Sequence, residues 1–163
     1  MRSLGLDVGD RRTGVAISDP QGILATPLTV LVSKDDGALI DEVLGLVEQH
    51  KAERLVIGLP RHLTGELGKQ AGKVASLVDR LSCAARERGL NQLDIQLWDE
   101  RLSTKAAERL KRGADGATKL RTRAKRGTRG HSSFVKAGVD AIAAALILQG
   151  FLDRHRQNDS GAP

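Results

Sequence analysis

Leu4, Leu6 and Val8 alternate with Gly5, Asp7 and Gly9, the two-residue period of a β-strand. The turn-prone run Asp10-Arg11-Arg12-Thr13-Gly14 and the apolar run Val15-Ala16-Ile17 follow. Two strands across a short glycine-containing loop predict a β-hairpin. Asp19-Pro20-Gln21-Gly22 reads as a turn, and residues 23–32 as a third strand bent at Pro27. The chain therefore opens as an antiparallel meander.

Beyond Asp35 the period changes. Leu39, Ile40, Val43, Leu44 and Val47 recur at helical spacing, behind a start signal at Asp35-Asp36-Gly37. Arg54-Leu55-Val56-Ile57-Gly58 is short and almost wholly apolar, the signature of a strand buried on both faces of a parallel sheet. A Pro- and Gly-containing loop leads to a long helix with Val74, Leu77, Val78, Leu81 and Ala85 inward and Gly89 as its stop. Residues 93–98 form the next strand, and Asp99-Glu100-Arg101 sits at its C-terminal end. Ser103 or Thr104 can cap a helix reaching about Arg112. Residues 114–130 lack periodicity and read as a loop, and a last helix spans about 134–154. This order predicts an α/β fold: a five-stranded mixed sheet, three strands as an antiparallel meander and the rest parallel, flanked by helices. Ligands gather at the C-terminal ends of parallel strands. Asp99-Glu100 lies at such an end, and the first strand, with Asp7, could be its neighbour.

Three acids stand out against this background. Asp7 lies in the middle of an apolar strand, where a carboxylate is costly to bury without a partner. The glycines beside it leave room for a phosphate or sugar to approach the backbone; a solvated strand-end acid is the plainer alternative. Asp140 is the one acid before Asp153 in a helix that reads as apolar almost all round. Such a carboxylate needs a cation or a raised pKa, unless it belongs to the first turn and favours the helix dipole. Glu100 alone would be an ordinary solvated acid. Clustered carboxylates with no histidine or cysteine favour a hard cation, Mg²⁺ or Mn²⁺. Two such ions roughly 4 Å apart clamp a phosphodiester.

Composition sharpens this. The 163 residues suit one domain, residues 1–155, with 156–163 as a disordered tail. Trp98, Phe134 and Phe151 are the only aromatics, so the core must be aliphatic. Cys83 is alone and the four histidines are scattered, which excludes a disulfide framework and a thiolate metal site. No segment resembles a signal peptide or reaches membrane-spanning length, and a cytoplasmic protein fits best. The net charge of +6 is concentrated in residues 109–131: Arg109, Lys111, Arg112, Lys119, Arg121, Arg123, Lys125, Arg126 and Arg129 stand against Asp115 alone. Such a patch is the footprint of a polyanion partner, against the alternative of a merely solvated basic loop. Arg121, Arg123, Lys125, Arg126 and Arg129, with Arg101 beside the acids, are the candidate nucleic-acid contacts.

LGLDVGDRRTGVAISD, VIGLP followed by TG, WDERLST and VDAIAAALILQGFLD, in that order, resemble the YqgF/RuvX-like family over residues 4–153. The resemblance implies a ribonuclease-H-like fold and an acidic triad at Asp7, Glu100 and Asp140, the same three acids. It implies a nuclease, described in that family both as maturing the 5′ end of the small-subunit ribosomal RNA precursor and as a Holliday junction resolvase. Residues 114–130 resemble the family less. An actin-like ATP-binding fold also begins with an Asp-Gly hairpin, but it needs a second fold copy that this length does not supply. A non-catalytic nucleic-acid-binding protein is a third reading, with nothing in the acids to favour it. Structured RNA is the expected substrate over a DNA junction, because one basic segment suits a single irregular strand or helix. A monomer is expected over a dimer, since no apolar interface can be read from the sequence.

Overall fold

The computed structural model describes residues 1–59, 67–99 and 131–159. The meander consists of β1 (Ser3–Val8), β2 (Arg12–Ser18) and β3 (Ala25–Val32). It is followed by α1 (Asp36–His50), β4 (Arg54–Gly58), α2 (Leu67–Glu87), β5 (Asp94–Trp98) and α3 (His131–Asp159). The sheet order is β3-β2-β1-β4-β5. β1 is antiparallel to β2 and β2 to β3, whereas β1, β4 and β5 run parallel. This is the mixed five-stranded sheet expected. One placement differs: β4 lies between β1 and β5, so the strand carrying Asp7 does not adjoin the one that leads to Glu100. The expected helix over 103–112 and the basic loop over 114–130 lie outside the described residues.

Strand alternation divides the sheet into two chemically different faces. Leu4, Leu6, Val15, Leu55 and Ile57 pack against Leu39, Ile40, Val43, Leu44 and Val47 of α1 and Val74, Leu77, Leu81 and Ala85 of α2. On the other face Ala16, Val56 and Trp98 meet Ala144, Ala145, Ile147, Leu148, Phe151 and Leu152 of α3. β4 contributes to both layers, which is why its sequence is continuously apolar.

Local chemistry sets the element ends. The Asp35 carboxylate accepts from the Ala38 N–H at 2.8 Å and caps α1. Gly89, at φ 78°, follows α2. β3 starts at Ala25 rather than Ile23, because the Asp19 carboxylate accepts from the Ile23 and Leu24 N–H groups at 2.6 and 3.0 Å and holds them in the turn. These bonds also lower the Asp19 pKa. Thr29 faces Val15 and Pro27 faces Ala16, so the register shifts around Leu28 and the edge strand bends where proline predicts. α3 runs past the expected Arg154 to Asp159. Phe151 stacks on His155 at 4.0 Å, and Arg156 pairs with Asp153 at 2.8 Å, tying its last turns together. Nor is α3 buried all round: Val139 and Ile142 face outward, 59% and 44% exposed.

Candidate active site

Alternation along β1 puts Ser3, Gly5 and Asp7 on the α3 face and Leu4, Leu6 and Val8 on the other. Asp7 lies directly opposite Gly14 of β2. On its other side the parallel register ends at Leu6 and Ile57, which sets Gly58 of β4 at the level of Asp7, and Gly58 lies opposite Trp98 of β5. A single row thus crosses the α3 face: Gly14, Asp7, Gly58, Trp98. It lies at the C-terminal ends of the three parallel strands. Asp7 has a bare backbone on both sides of it within the sheet.

That bare space is filled by α3. A Cβ placed on Gly14 would sit 1.9 Å from the Asp140 carbonyl oxygen and 3.0 Å from the Ala141 nitrogen. The helix backbone therefore rests on β2 at the residue opposite Asp7, which places the Asp140 backbone one strand across from Asp7. At Gly58 an added Cβ would meet Ile147 Cδ1 at 2.4 Å, and at Gly5 the Leu148 Cβ at 2.7 Å. Gly9 has its space taken by the Arg12 carbonyl oxygen, 2.7 Å from where a Cβ would be. The glycines around Asp7 thus admit the helix and close the hairpin, rather than leaving the open backbone expected for a phosphate.

Asp140 lies in the third turn of α3, which begins at His131, so the helix-start explanation for it is set aside. Its cation is present in the chain. Arg12 Nε stands 3.3 Å from Asp140 Oδ2, both side chains about one-third exposed. Arg12 lies two residues before Gly14 on β2 and therefore on the same face. Sequence reading missed this pair, and counting alternate residues back from Gly14 is the one signal that could have found it. Asp7 is half-buried and is also in contact with a partner of its own.

Of the other expected site residues, Glu100 follows Asp99 just beyond the described end of β5. Glu100, Arg101, Arg121, Arg123, Lys125, Arg126 and Arg129 all lie outside the described residues. Among the described residues no group of three or more acids, histidines or cysteines could hold a metal ion. Asp7 and Asp140 offer hard oxygen donors of the kind Mg²⁺ and Mn²⁺ take, and a third carboxylate beyond Asp99 would complete such a set. Trp98 walls the row on the β5 side, 6% exposed, edge-on to Phe151 at 5.7 Å between ring centres. A cavity of about 320 Å³ lined by Val8, Asp10, Asp36, Lys73 and Leu77 opens on the opposite face of the hairpin from α3 and Asp140.

The family described as "RuvX: Holliday junction resolvase" matches residues 1–154. A protein of Bacillus cereus (strain B4264) named "Putative pre-16S rRNA nuclease" is 40% identical over 156 residues, covering 94% of this chain and 99% of its own. One of Bacillus thuringiensis (strain Al Hakam) with the same name is 40% identical over 155 residues, covering 94% and 98%. Among solved structures, Thermus thermophilus RuvC superimposes with TM-score 0.57 at 15% identity over 96% of this chain and 97% of its own. The yeast mitochondrial Holliday junction resolvase does so with TM-score 0.57 at 14% identity, over 98% and 80%. At these identities the two structures share the fold.

Proposed function

The chain belongs to the RuvX family, and from that membership we propose that it is a divalent-metal-dependent nuclease that hydrolyses phosphodiester bonds in the precursor of 16S ribosomal RNA. The observation that carries the site assignment is the contact of the α3 backbone at Asp140 with Gly14, opposite Asp7. Asp7 and Asp140 are the described part of a carboxylate set that Glu100 completes, and these three would hold Mg²⁺ or Mn²⁺. Bound there, a divalent ion would supply activation of a water and charge neutralisation at the phosphate, tasks that a pair of ions would divide. The chain's own contribution is geometric and electrostatic. β1 holds one carboxylate on the sheet and α3 holds the other on the helix packed over it, and Ile147 over Gly58 and Trp98 form an apolar wall that limits water on the β5 side. Arg101, Arg121, Arg123, Lys125, Arg126 and Arg129 would grip the phosphate backbone independently of sequence. We place this activity in the cytoplasm, in a monomer. Among the described residues no helix is long and apolar enough to cross a membrane.

The test offers the purified protein a 5′-extended 16S rRNA precursor and a four-way DNA junction in parallel, with Mn²⁺. The RNA is expected to be cut, and excess junction not to inhibit. Asp7→Asn should remove cleavage, by roughly 10²-fold or more, while leaving the protein folded, because the amide keeps the size and shape of the carboxylate. Wild-type activity in Asp7→Asn would defeat the site assignment. Paired, symmetric nicks in the junction by a dimer, faster than any RNA cut, would favour the resolvase reading that the family's description carries.

A further inference from the structure

Asp140 has a cation already at hand. Arg12 Nε lies 3.3 Å from its Oδ2, and the two side chains are 31% and 33% exposed. The pair joins β2 to α3 two residues from Gly14, where the helix backbone touches the sheet. A guanidinium stays charged at every accessible pH, so it cannot relinquish the carboxylate by losing a proton. It can only turn aside or share it.

We propose that Arg12 is the built-in counter-ion of Asp140. It orients the carboxylate in the metal-free protein and competes with a divalent cation for it, so that Arg12 sets how readily the site loads. This rests on the reading of Asp140 as a metal ligand. The physical ground is that a partly buried pair is screened less than a surface one. A fixed positive charge within a few ångströms of the ligand oxygen opposes a second cation directly. Arg12 is then a positioning residue: it acts on Asp140 rather than on substrate. The competing account is that the pair merely ties the hairpin to the helix, and it makes a different prediction for metal affinity.

The experiment titrates Mn²⁺ into the full-length protein by calorimetry, comparing wild type, Arg12→Gln, Arg12→Lys and Arg11→Gln. Arg11 is exposed at the hairpin tip and lines a small cavity with Ser33, Lys34 and Asp35 of the α1 side. Its variant therefore removes the same charge from the neighbourhood without touching Asp140. Arg12→Gln should bind Mn²⁺ about three- to tenfold more tightly, with Arg12→Lys between it and wild type and Arg11→Gln close to wild type. In the metal-free protein a thermal double-mutant cycle of Arg12→Gln with Asp140→Asn should show coupling, and saturating Mn²⁺ should abolish it. Equal affinity in wild type and Arg12→Gln, or an equal gain from Arg11→Gln, would overturn the proposal while leaving the metal site intact. Binding to Arg12→Gln alone would support it in its strongest form. Absence of Mn²⁺ binding in every variant would sink the metal reading and this proposal together.

Discussion

The two faces of the sheet are built on opposite principles. The face under α1 and α2 is a layer of large aliphatics, with Leu4, Leu44, Leu55 and Ile57 each at or near zero exposure, and its helices stand off at side-chain distance. The face under α3 carries small residues, Gly5, Gly14, Ala16 and Gly58, beside Val56 and Trp98, and the helix rests on Gly14 and Gly5 with its backbone or the base of a side chain and on Gly58 with Ile147. The first face holds the fold together and can exchange one aliphatic for another of similar volume. The second fixes where the Asp140 backbone lies relative to Asp7, and a single methyl group can disturb it. Stability and site geometry are thus assigned to different sides of one sheet, with β4 serving both.

The largest expected effect on stability comes from the first face. Leu55→Ala removes a side chain with no exposure and should cost about 2–5 kcal/mol in denaturant unfolding. Because Leu55 points away from α3, the molecules that remain folded should keep wild-type Mn²⁺ affinity and cleavage rate. A proportionate loss of metal binding in the folded fraction would show that the faces are not independent.

Gly14→Ala is the converse. Its Cβ would lie 1.9 Å from a backbone carbonyl oxygen, which cannot turn away as a side-chain tip can. Strand or helix must move, at about 3 kcal/mol, the upper end of the overpacking range. The diagnostic result is disproportion: Mn²⁺ affinity and cleavage should fall at least tenfold in protein that is still folded, because the shift separates Asp140 from Asp7. Loss of stability with an unchanged metal site would show that Gly14 is only a packing position.

Much of this division is legible in the sequence. The hairpin, the Asp35 cap and β4 follow from local rules, because period, capping chemistry and β-propensity are read over a few residues. The anomaly of Asp7 and Asp140 is legible for the same reason, since a carboxylate among aliphatics is conspicuous wherever it lies. What cannot be read is register. That Gly14 and Gly58, rather than sequence neighbours Gly5 and Gly9, flank Asp7 depends on which residues pair across strands. That Arg12 answers Asp140 depends on where a distant helix lands. The Pro27 bend is readable, but the start of β3 at Ala25 is not, because whether the Asp19 carboxylate takes the Ile23 and Leu24 N–H groups depends on the backbone path of the turn, which residue type alone does not fix.

The smallest expected effect lies at the far end of the α3 face, where β4 and β5 begin. Asp94 accepts from Arg54 Nε at 2.7 Å and from Gln96 at 2.6 Å, and Arg54 lies over the Phe151 ring at 5.2 Å. Partial burial pushes the Asp94 pKa up, but the bonds from Gln96 and Arg54 outweigh it, so the net shift is downward. A carboxyl whose pKa is lower folded than unfolded stabilises the protein above its ordinary value of 3.8, and that contribution is lost as pH falls through the folded value. Asp94→Asn should therefore cost less than about 1 kcal/mol at pH 7, as a partly exposed pair does. The gap from wild type should narrow below about pH 4 and leave Mn²⁺ affinity untouched, since the residue lies at the opposite end of the strands from Asp7. Chemical denaturation from pH 7 to 3 with and without Mn²⁺ measures both. A gap that widens toward acid would reverse the sign assigned to Asp94, and a metal affinity that follows the substitution would mean that the two ends of the α3 face are coupled through Phe151 and Trp98.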